Sequence, residues 1–162
     1  MAPLPEDSIL PEDFGLSPGG DNLAEVVFGN LLRAADLSAR ATSEFIQSGA
    51  GVSLIQYNVL RTIRERRPAG VPVLTVAAEL ISREPDITRL IDRMERDELV
   101  YRRRSTEDRR VVLVFLTDRG KRIADRMRRP LVRFHRENFQ GFTNAGLKTL
   151  NRALFRLRRD MA

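Results

Sequence analysis

The chain has 162 residues, 42% of them apolar, and a formal net charge of +6 at pH 7. This length allows one domain with a hydrophobic core, and the absence of cysteine excludes disulfides, thiolate metal sites and cysteine redox sensing. The longest apolar run, Val111 to Leu116, is far shorter than the roughly 20 residues that span a bilayer, and no secretory signal is recognisable, so we expect a cytoplasmic protein.

The first stretch of the chain is acidic and rich in proline. Residues 1–30 contain six acidic residues and no lysine or arginine, so all 28 basic residues lie after them, against 16 acidic ones. Residues 1–20 hold four prolines and a repeated Leu-Pro-Glu-Asp, which predicts an acidic tail outside the folded domain. The alternative is an arm that docks on the basic body or on a partner subunit through Ile9, Leu10 and Phe14.

Two helices are predicted after this tail. The first has Asp21 or Asn22 as its N-cap and reaches about Gln47, where a glycine-rich turn begins. The second opens with a capping box, in which the side chains of Ser53 and Gln56 satisfy each other's backbone amides. Both helices have an apolar face and are therefore expected to pack on a core.

The middle of the chain predicts a helix-turn-helix. A breaker-rich connection at 68–72 leads to a short helix capped by Thr75, and a turn leads to a second helix that starts at Pro85 and ends near Glu98. Such a second helix suits the major groove of DNA, where the residues of its first turn contact base edges. Its buried stripe is Ile87, Leu90, Ile91 and Met94, and its outward residues are Asp86, Thr88, Arg89, Asp92, Arg93 and Arg96.

A β-hairpin with a charged loop follows the second helix. Leu99–Arg104 and Val111–Leu116 are rich in strand-forming residues, and residues 105–110 join them. Residues 100–136 contain 13 basic and four acidic residues, which favours nucleic acid or an anionic membrane as the partner. Arginine supplies 26 of the 28 basic residues, which fits either a GC-rich genome or recognition of phosphate and guanine by guanidinium groups. A basic hairpin in this place is typical of the wing in a winged helix-turn-helix.

Two further helices complete the chain. Thr117 is expected to cap the first of them, Pro130 to kink or break it near Arg129, and Thr143 to begin the last helix. These helices and the helix after Asp21 have wide apolar faces, which a small winged module cannot bury. A second copy of the chain would bury them around a two-fold axis and place two recognition helices roughly 34 Å apart. The alternative is a monomer whose terminal helices cap their own core.

The sequence resembles the MarR family of winged helix-turn-helix transcriptional regulators over roughly residues 22–160. The family's wing pattern, Asp-x-Arg, five residues and then Leu-Thr, is matched without insertion from Asp108 to Thr117. Two features depart from the family: Glu98 stands where many members have glycine, and the resemblance does not explain the acidic extension. The segments that carry the resemblance are Ile87–Glu95, Asp97–Val100, Asp108–Arg110 and Leu116–Gly120.

The resemblance implies a mainly α fold with a small β-hairpin wing. A winged helix-turn-helix would occupy residues 53–117, and helical dimerisation regions would occupy 21–48 and 118–162. It also implies a homodimer that binds a near-palindromic operator in double-stranded DNA, usually as a repressor. The residues that it assigns to DNA are Pro85, Asp86, Thr88, Arg89, Arg93, Arg104, Asp108, Arg109 and Arg110.

The same resemblance implies distinct roles within this set. Arg89 and its first-turn neighbours would face the major groove, whereas Arg110 would enter the minor groove with its guanidinium held by Asp108. Arg93 and Arg104 would meet phosphates, although an intrahelical pair with Asp97 is an equal alternative for Arg93. Many relatives release DNA when a small aromatic or anionic effector binds near the helical base. By location, the candidate effector residues are Arg40, Phe45, Tyr57 and Arg61.

The sequence shows no catalytic constellation, so we expect neither an enzyme nor a cofactor. A single histidine, His135, argues against a multi-histidine zinc site, and no metal is expected. The alternative function is a winged-helix protein-interaction module without specific DNA binding. Such a module would expose apolar residues on its outward face, where this chain has Thr88, Arg89 and Arg110. A membrane-surface protein is a third alternative, disfavoured because the basic stretch includes a polar hairpin.

Overall fold

The computed structural model describes residues 23–66, 70–80 and 86–161. Three predictions lie outside these residues: the acidic tail with its docking alternative, the N-cap at Asp21 or Asn22, and the role of Pro85. The described residues form two compact units, one within residues 28–129 and the other made of residues 23–27 and 130–161. None of the described helices is both long enough and apolar enough to cross a membrane.

The predicted fold class is confirmed, because the described chain is mainly helical and carries one small antiparallel sheet. The three strands lie in the order β1-β3-β2, so the sheet is one strand larger than the predicted hairpin. In chain order the elements are α1 (Leu23–Ala50), α2 (Leu54–Glu65), β1 (Val71–Pro72), α3 (Val73–Glu79), α4 (Ile87–Arg96), β2 (Val100–Arg104), β3 (Val112–Leu116), α5 (Asp118–Asn138) and α6 (Asn144–Asp160).

Three of the helix starts that were predicted from local caps are confirmed. The Ser53 side chain accepts from the Gln56 amide, and the Gln56 side chain accepts from the Ser53 amide at 2.9 Å, so the capping box of α2 is complete. Thr117 and Thr143 cap α5 and α6 by accepting from amides three residues ahead, each at 3.1 Å. Helix α1 ends at Ala50, three residues later than predicted, and the next residue, Gly51, has a φ of 69°.

The connection at 68–72 was predicted without secondary structure, and this is wrong for its last two residues. Val71 pairs with Val114 and Pro72 with Leu113, so β1 is an edge strand of the wing sheet. Proline is tolerated there because an edge strand need not donate a hydrogen bond on its open side. The cap predicted at Thr75 is wrong as well, since α3 begins at Val73 directly after Pro72.

Helix α4 begins and ends differently from the prediction. Asp86 is its N-cap and accepts from the Arg89 amide at 3.0 Å, so the helix starts two residues later than expected. At the other end the Glu98 and Leu99 amides bond to the carbonyls of Glu95 and Met94, at 3.0 and 2.9 Å, in a Schellman arrangement. Glu98 has a φ of 55°, a conformation that costs a side chain about 1–2 kcal/mol relative to glycine.

The core of the unit Phe28–Arg129 forms between the winged elements and the adjoining helices. The predicted stripe on α4 faces this core, since Leu90, Ile91 and Met94 are at most 1% exposed. Helix α4 is therefore anchored to the core through one face, and its opposite face is exposed to solvent. The other fully buried side chains are Ile46, Val59, Leu60, Ile63, Val71, Val76, Leu99 and Val114.

A kink or a break was predicted near Arg129, and the break is wrong because helix α5 continues through Pro130. A proline inside a helix removes one backbone hydrogen bond, and the helix persists where the remaining bonds on both sides are kept. The first part of α5 packs firmly, because Gly120, Ile123, Ala124 and Met127 are buried. Helix α6, in the other unit, has no buried residue among those that the structure describes.

Candidate nucleic-acid interface

Helix α4, which we call the recognition helix, presents two candidate DNA residues in its first turn. Thr88 and Arg89 are exposed, and the Arg89 side chain is 82% accessible to solvent. Its Nε lies 2.8 Å from Asp86 Oδ2, while the other oxygen of this carboxylate accepts from the Arg89 amide. Asp86 therefore caps the helix and orients the guanidinium of Arg89, which projects into solvent from a fixed backbone.

Arg93 lies on the same outward face, one turn further along the recognition helix. The intrahelical pair with Asp97, offered as an alternative, is not formed: no described residue makes an ion pair with Arg93. Asp97 instead accepts from Nε2 of Gln56 at 3.3 Å, and this bond links the end of α4 to α2. The charge of Arg93 is consequently available to an external anion such as a phosphate.

The wing consists of β2, β3 and the loop 105–110, and its loop is held by short-range hydrogen bonds. The Ser105 amide donates to the Val111 carbonyl and the Val111 amide donates to the Asp108 carbonyl, each at 2.9 Å. The Ser105 hydroxyl accepts from the amides of Glu107 and Asp108, at 3.2 and 3.4 Å. These bonds give the tip of the wing a defined backbone, although its side chains are exposed to solvent.

The predicted bond between Asp108 and the guanidinium of Arg110 is wrong. Asp108 Oδ1 accepts from the backbone amide of Arg110 at 2.9 Å, and no described ion pair joins the two side chains. An aspartate commonly bonds to an amide two residues ahead in this way, because the short side chain closes a turn. Asp108 shapes the loop, so the side chains of Arg109 and Arg110 extend from it freely.

A groove of about 710 Å³ separates the recognition helix from the wing. Thr88 lies on one side of it, and Arg110, the last residue of the wing loop, lies on the other side. Leu74, at the start of α3, is 81% exposed beside the groove. The helix and the wing are therefore two separate projections from one folded unit. The lining residues are Pro72, Val73, Leu74, Thr75, Thr88, Arg102, Arg110, Val111 and Val112.

Arg102 is the interface residue that the sequence reasoning missed. Its side chain is only 24% exposed and contacts carboxylates of the recognition helix, whereas the predicted Arg104 is exposed at the end of β2. The signal was the alternation of side chains along β2, because Arg102 is two residues from the buried Val100 and therefore shares its face.

None of the four candidate effector residues lines the groove between helix and wing or the second groove, along α5, that is described below. Arg40 pairs with Asp36 at 3.0 Å and is exposed, as is Arg61. Tyr57 is buried in the core at 2% exposure, and this burial raises the pKa of its hydroxyl from its ordinary value, against an opposing effect of the nearby arginines Arg61 and Arg64. Phe45 is half-buried on α1. These residues therefore remain predictions by location.

A second groove, of about 560 Å³, lies along α5 near Ala50. Arg119 and Arg126 border it and donate to the carbonyls of Asp97 and Gly49, at 2.7 and 3.1 Å. Both guanidiniums thus serve the exposed carbonyls at the ends of α4 and α1. Within the described residues, no group of three His, Cys, Asp or Glu side chains could hold a metal ion.

Comparison with known proteins gives a consistent result. The MarR family model matches residues 52–112. The HTH-type transcriptional regulator YsmB of Bacillus subtilis, itself uncharacterised, is 35% identical over 74 residues, which are 46% of this chain and 51% of that protein. The chain thus matches about half the length of this curated relative.

Solved structures extend the similarity to most of the chain. The MarR transcription factor from Planctomyces limnophilus is 34% identical, with 89% of this chain and all of that chain covered and a TM-score of 0.60. The S. aureus MepR–DNA complex is 15% identical and shares the fold, with a TM-score of 0.73 over 83% of this chain and 98% of that one. YsmB and the Planctomyces limnophilus protein are described as transcription regulators, which are not enzymes. By the family model and the full-length similarity at 34% identity, the chain belongs to the MarR family of transcriptional regulators.

Proposed function

We propose that this regulator is a sequence-specific DNA-binding protein that places its recognition helix in the major groove and its wing in the minor groove. The observation that carries the proposal is the exposure of Arg89, Arg93 and Arg110 on two projections of one compact unit. A protein with the same fold, MepR, was solved on DNA. Guanidinium groups bind guanine edges and phosphates through paired donors, which matches the chemistry of this surface.

The proposed roles follow from the position of each residue on the recognition helix or on the wing. Thr88 and Arg89, in the first turn of the helix, would contact base edges, while Arg93 and Arg104 would contact phosphates. Arg109 and Arg110 would enter or border the minor groove from the tip of the wing. Asp86 and Asp108 would act indirectly, the first by orienting Arg89 and the second by shaping the loop. Pro85 keeps its place in this proposal by sequence alone.

We infer further that the regulator is a homodimer. Helix α6 has no buried residue, yet Leu154, Phe155 and Leu157 are 40–58% exposed, and Phe139 and Phe142 before it are exposed as well. An apolar surface of this extent is costly in water and suits the same surface of a second copy around a two-fold axis. Sedimentation equilibrium of the full chain should give the mass of two chains. A single-chain mass at micromolar concentration would contradict the dimer.

As a dimer, the regulator would read a near-palindromic operator and repress transcription in the cytoplasm by occupying promoter DNA. An effector would release it only by binding the DNA-free arrangement more tightly than the DNA-bound one. The DNA upstream of its own coding region is the first place to map a footprint. Absence of protection there would remove the support for repression of its own gene.

The test of specific DNA binding is a salt titration with two duplexes. One duplex is selected by the parent protein from a randomised pool, and the other is random. We expect affinity for both to fall steeply with salt, with the selected duplex bound at least about a thousandfold more tightly. Equal affinity for the two duplexes would contradict sequence-specific binding and favour the protein-interaction alternative.

Arg89→Ala sharpens the same test by addressing one base contact. We expect the variant to lose discrimination worth about 1–3 kcal/mol at one base pair in each half-site, while other positions keep their preference. Arg128→Ala is the matched control, because it removes an equal charge from an exposed position on α5. If Arg89→Ala and Arg128→Ala show the same base preference at every position of the site, the proposed base contact of Arg89 is wrong.

A further inference from the structure

Arg102 connects the wing directly to the recognition helix. Its Nη1 lies 2.6 Å from Asp92 Oδ1 and 2.8 Å from Glu95 Oε2, and its Nη2 donates to the Thr88 carbonyl at 3.1 Å. The backbone amide of Arg102 also donates to the other oxygen of Glu95, at 2.8 Å. One residue of β2 is thereby bonded to three successive levels of α4.

These bonds restrain the wing relative to the recognition helix. Arg102 pairs with Val114 in the middle of the β2–β3 ladder, so a bond to its side chain restrains both strands of the wing. The bond to the Thr88 carbonyl reaches the first turn of α4, and the bonds to Asp92 and Glu95 reach the next two turns. Rotation of the wing relative to the helix would have to break several charge-assisted bonds at once.

Arg102 also neutralises negative charge on the DNA-facing helix. Asp92 and Glu95 are 50% and 32% exposed, and both are paired with this one guanidinium. Without it, two carboxylates would stand unpaired beside the phosphates that Arg93 is proposed to meet. Partial burial makes the pairing stronger than that of an ordinary surface ion pair, because water screens it less.

We propose that Arg102 is a positioning residue for DNA recognition, which holds the recognition helix and the wing at one angle so that both enter their grooves together. This inference rests on the proposed function. A fixed angle matters because a helix and a wing that move independently must each be ordered when DNA binds, and this ordering has an entropic cost that lowers the affinity. Non-specific binding needs only the total charge and tolerates many angles. Arg102 therefore acts on specificity far more than on general affinity for DNA.

The decisive variant is Arg102→Lys, which keeps the charge and removes the planar fork. A lysine ammonium is a single donor centre and cannot serve Asp92, Glu95 and the Thr88 carbonyl in this geometry. Arg103→Lys is the matched control on the next residue of the same strand. Its guanidinium lies on the other face, 5.9 and 5.7 Å from the ring centroids of Tyr101 and Phe115. Both variants leave the net charge of the protein unchanged.

The binding readout compares the duplex selected by the parent protein with a random duplex, by fluorescence anisotropy at fixed salt. We expect Arg102→Lys to lower the affinity for the selected duplex at least about tenfold and to change the affinity for the random duplex less than about threefold. Arg103→Lys should behave like the parent protein. An equal loss on both duplexes, or no loss on either, would overturn the proposal.

A second readout requires no DNA. Because the chain has no cysteine, Thr106→Cys in the wing loop and Arg96→Cys at the end of α4 allow two spin labels to be attached selectively. In labelled protein diluted with unlabelled protein, the distance distribution should broaden when Arg102→Lys is added and should not when Arg103→Lys is added. If Arg102→Lys leaves the distribution of label distances unchanged, the proposed positioning role of Arg102 is wrong, even if the protein binds DNA. A parent protein that binds no duplex would instead overturn the proposed function, while the labels still decide the role of Arg102.

Discussion

Replacing Arg110 with alanine is expected to weaken binding to every DNA duplex, by about 1–3 kcal/mol for each wing that contacts DNA. This corresponds to a loss in affinity of about 5- to 150-fold per wing. The reason is that Arg110 projects from the tip of the wing without an ion pair among the described residues, so its charge is directed outward. A minor-groove or phosphate contact carries little sequence information, and the loss should therefore be similar for selected and random duplexes.

The structure also predicts that Arg110→Ala folds normally. The carboxylate of Asp108 bonds to the backbone amide of position 110, which alanine retains, so the loop keeps its shape. The measurement is a pair of binding isotherms in parallel with thermal unfolding, and Arg128→Ala serves again as the charge-matched control. Affinity within about twofold of that control would refute the role given to Arg110. A large fall in melting temperature would refute the account of Asp108.

Replacing Gly120 with alanine is expected to lower the free energy of unfolding by about 3 kcal/mol or more. A Cβ at this position would lie 2.0 Å from the Leu99 carbonyl oxygen and 3.2 Å from Cδ2 of Leu60. The nearest atom belongs to the backbone, which cannot rotate away as a side chain would. Helix α5 would have to move off the end of the recognition helix, and the bond from the Thr117 hydroxyl to the Glu98 carbonyl, 2.6 Å long, would be lost with it.

The measurement for Gly120→Ala is thermal unfolding followed by circular dichroism. The melting temperature should fall by roughly 6–12 °C in a protein of this size. Gly141→Ala is the matched control, because a Cβ there meets no atom within 4 Å. If Gly120→Ala melts within about 2 °C of Gly141→Ala, the close approach of α5 to Leu99 is not a property of the folded protein.

Local sequence determined the features in which residues three or four apart act on one another. The capping box at Ser53, the caps at Thr117 and Thr143 and the buried stripe of α4 are of this kind. The hairpin was also predicted from local sequence, because its two strand segments are adjacent in the chain, and they pair with Tyr101 opposite Phe115. Each follows from helical or strand periodicity, or from a side chain bonding to a nearby amide, and tertiary contacts do not alter it.

Only the tertiary structure decided the features whose partners are distant in the chain or whose local choices are nearly equal in energy. Val71 and Pro72 become a strand because β3 offers them an edge more than 40 residues away, and Gly120 is required because the Leu99 carbonyl lies against it. The carboxylate of Asp108 could have bonded to the guanidinium or to the backbone amide of Arg110, and in the folded loop it bonds to the amide. The sequence pattern predicted which arginines face outward. It did not predict that Arg102 joins the helix to the wing, because a guanidinium binds whichever carboxylates the fold brings within its reach.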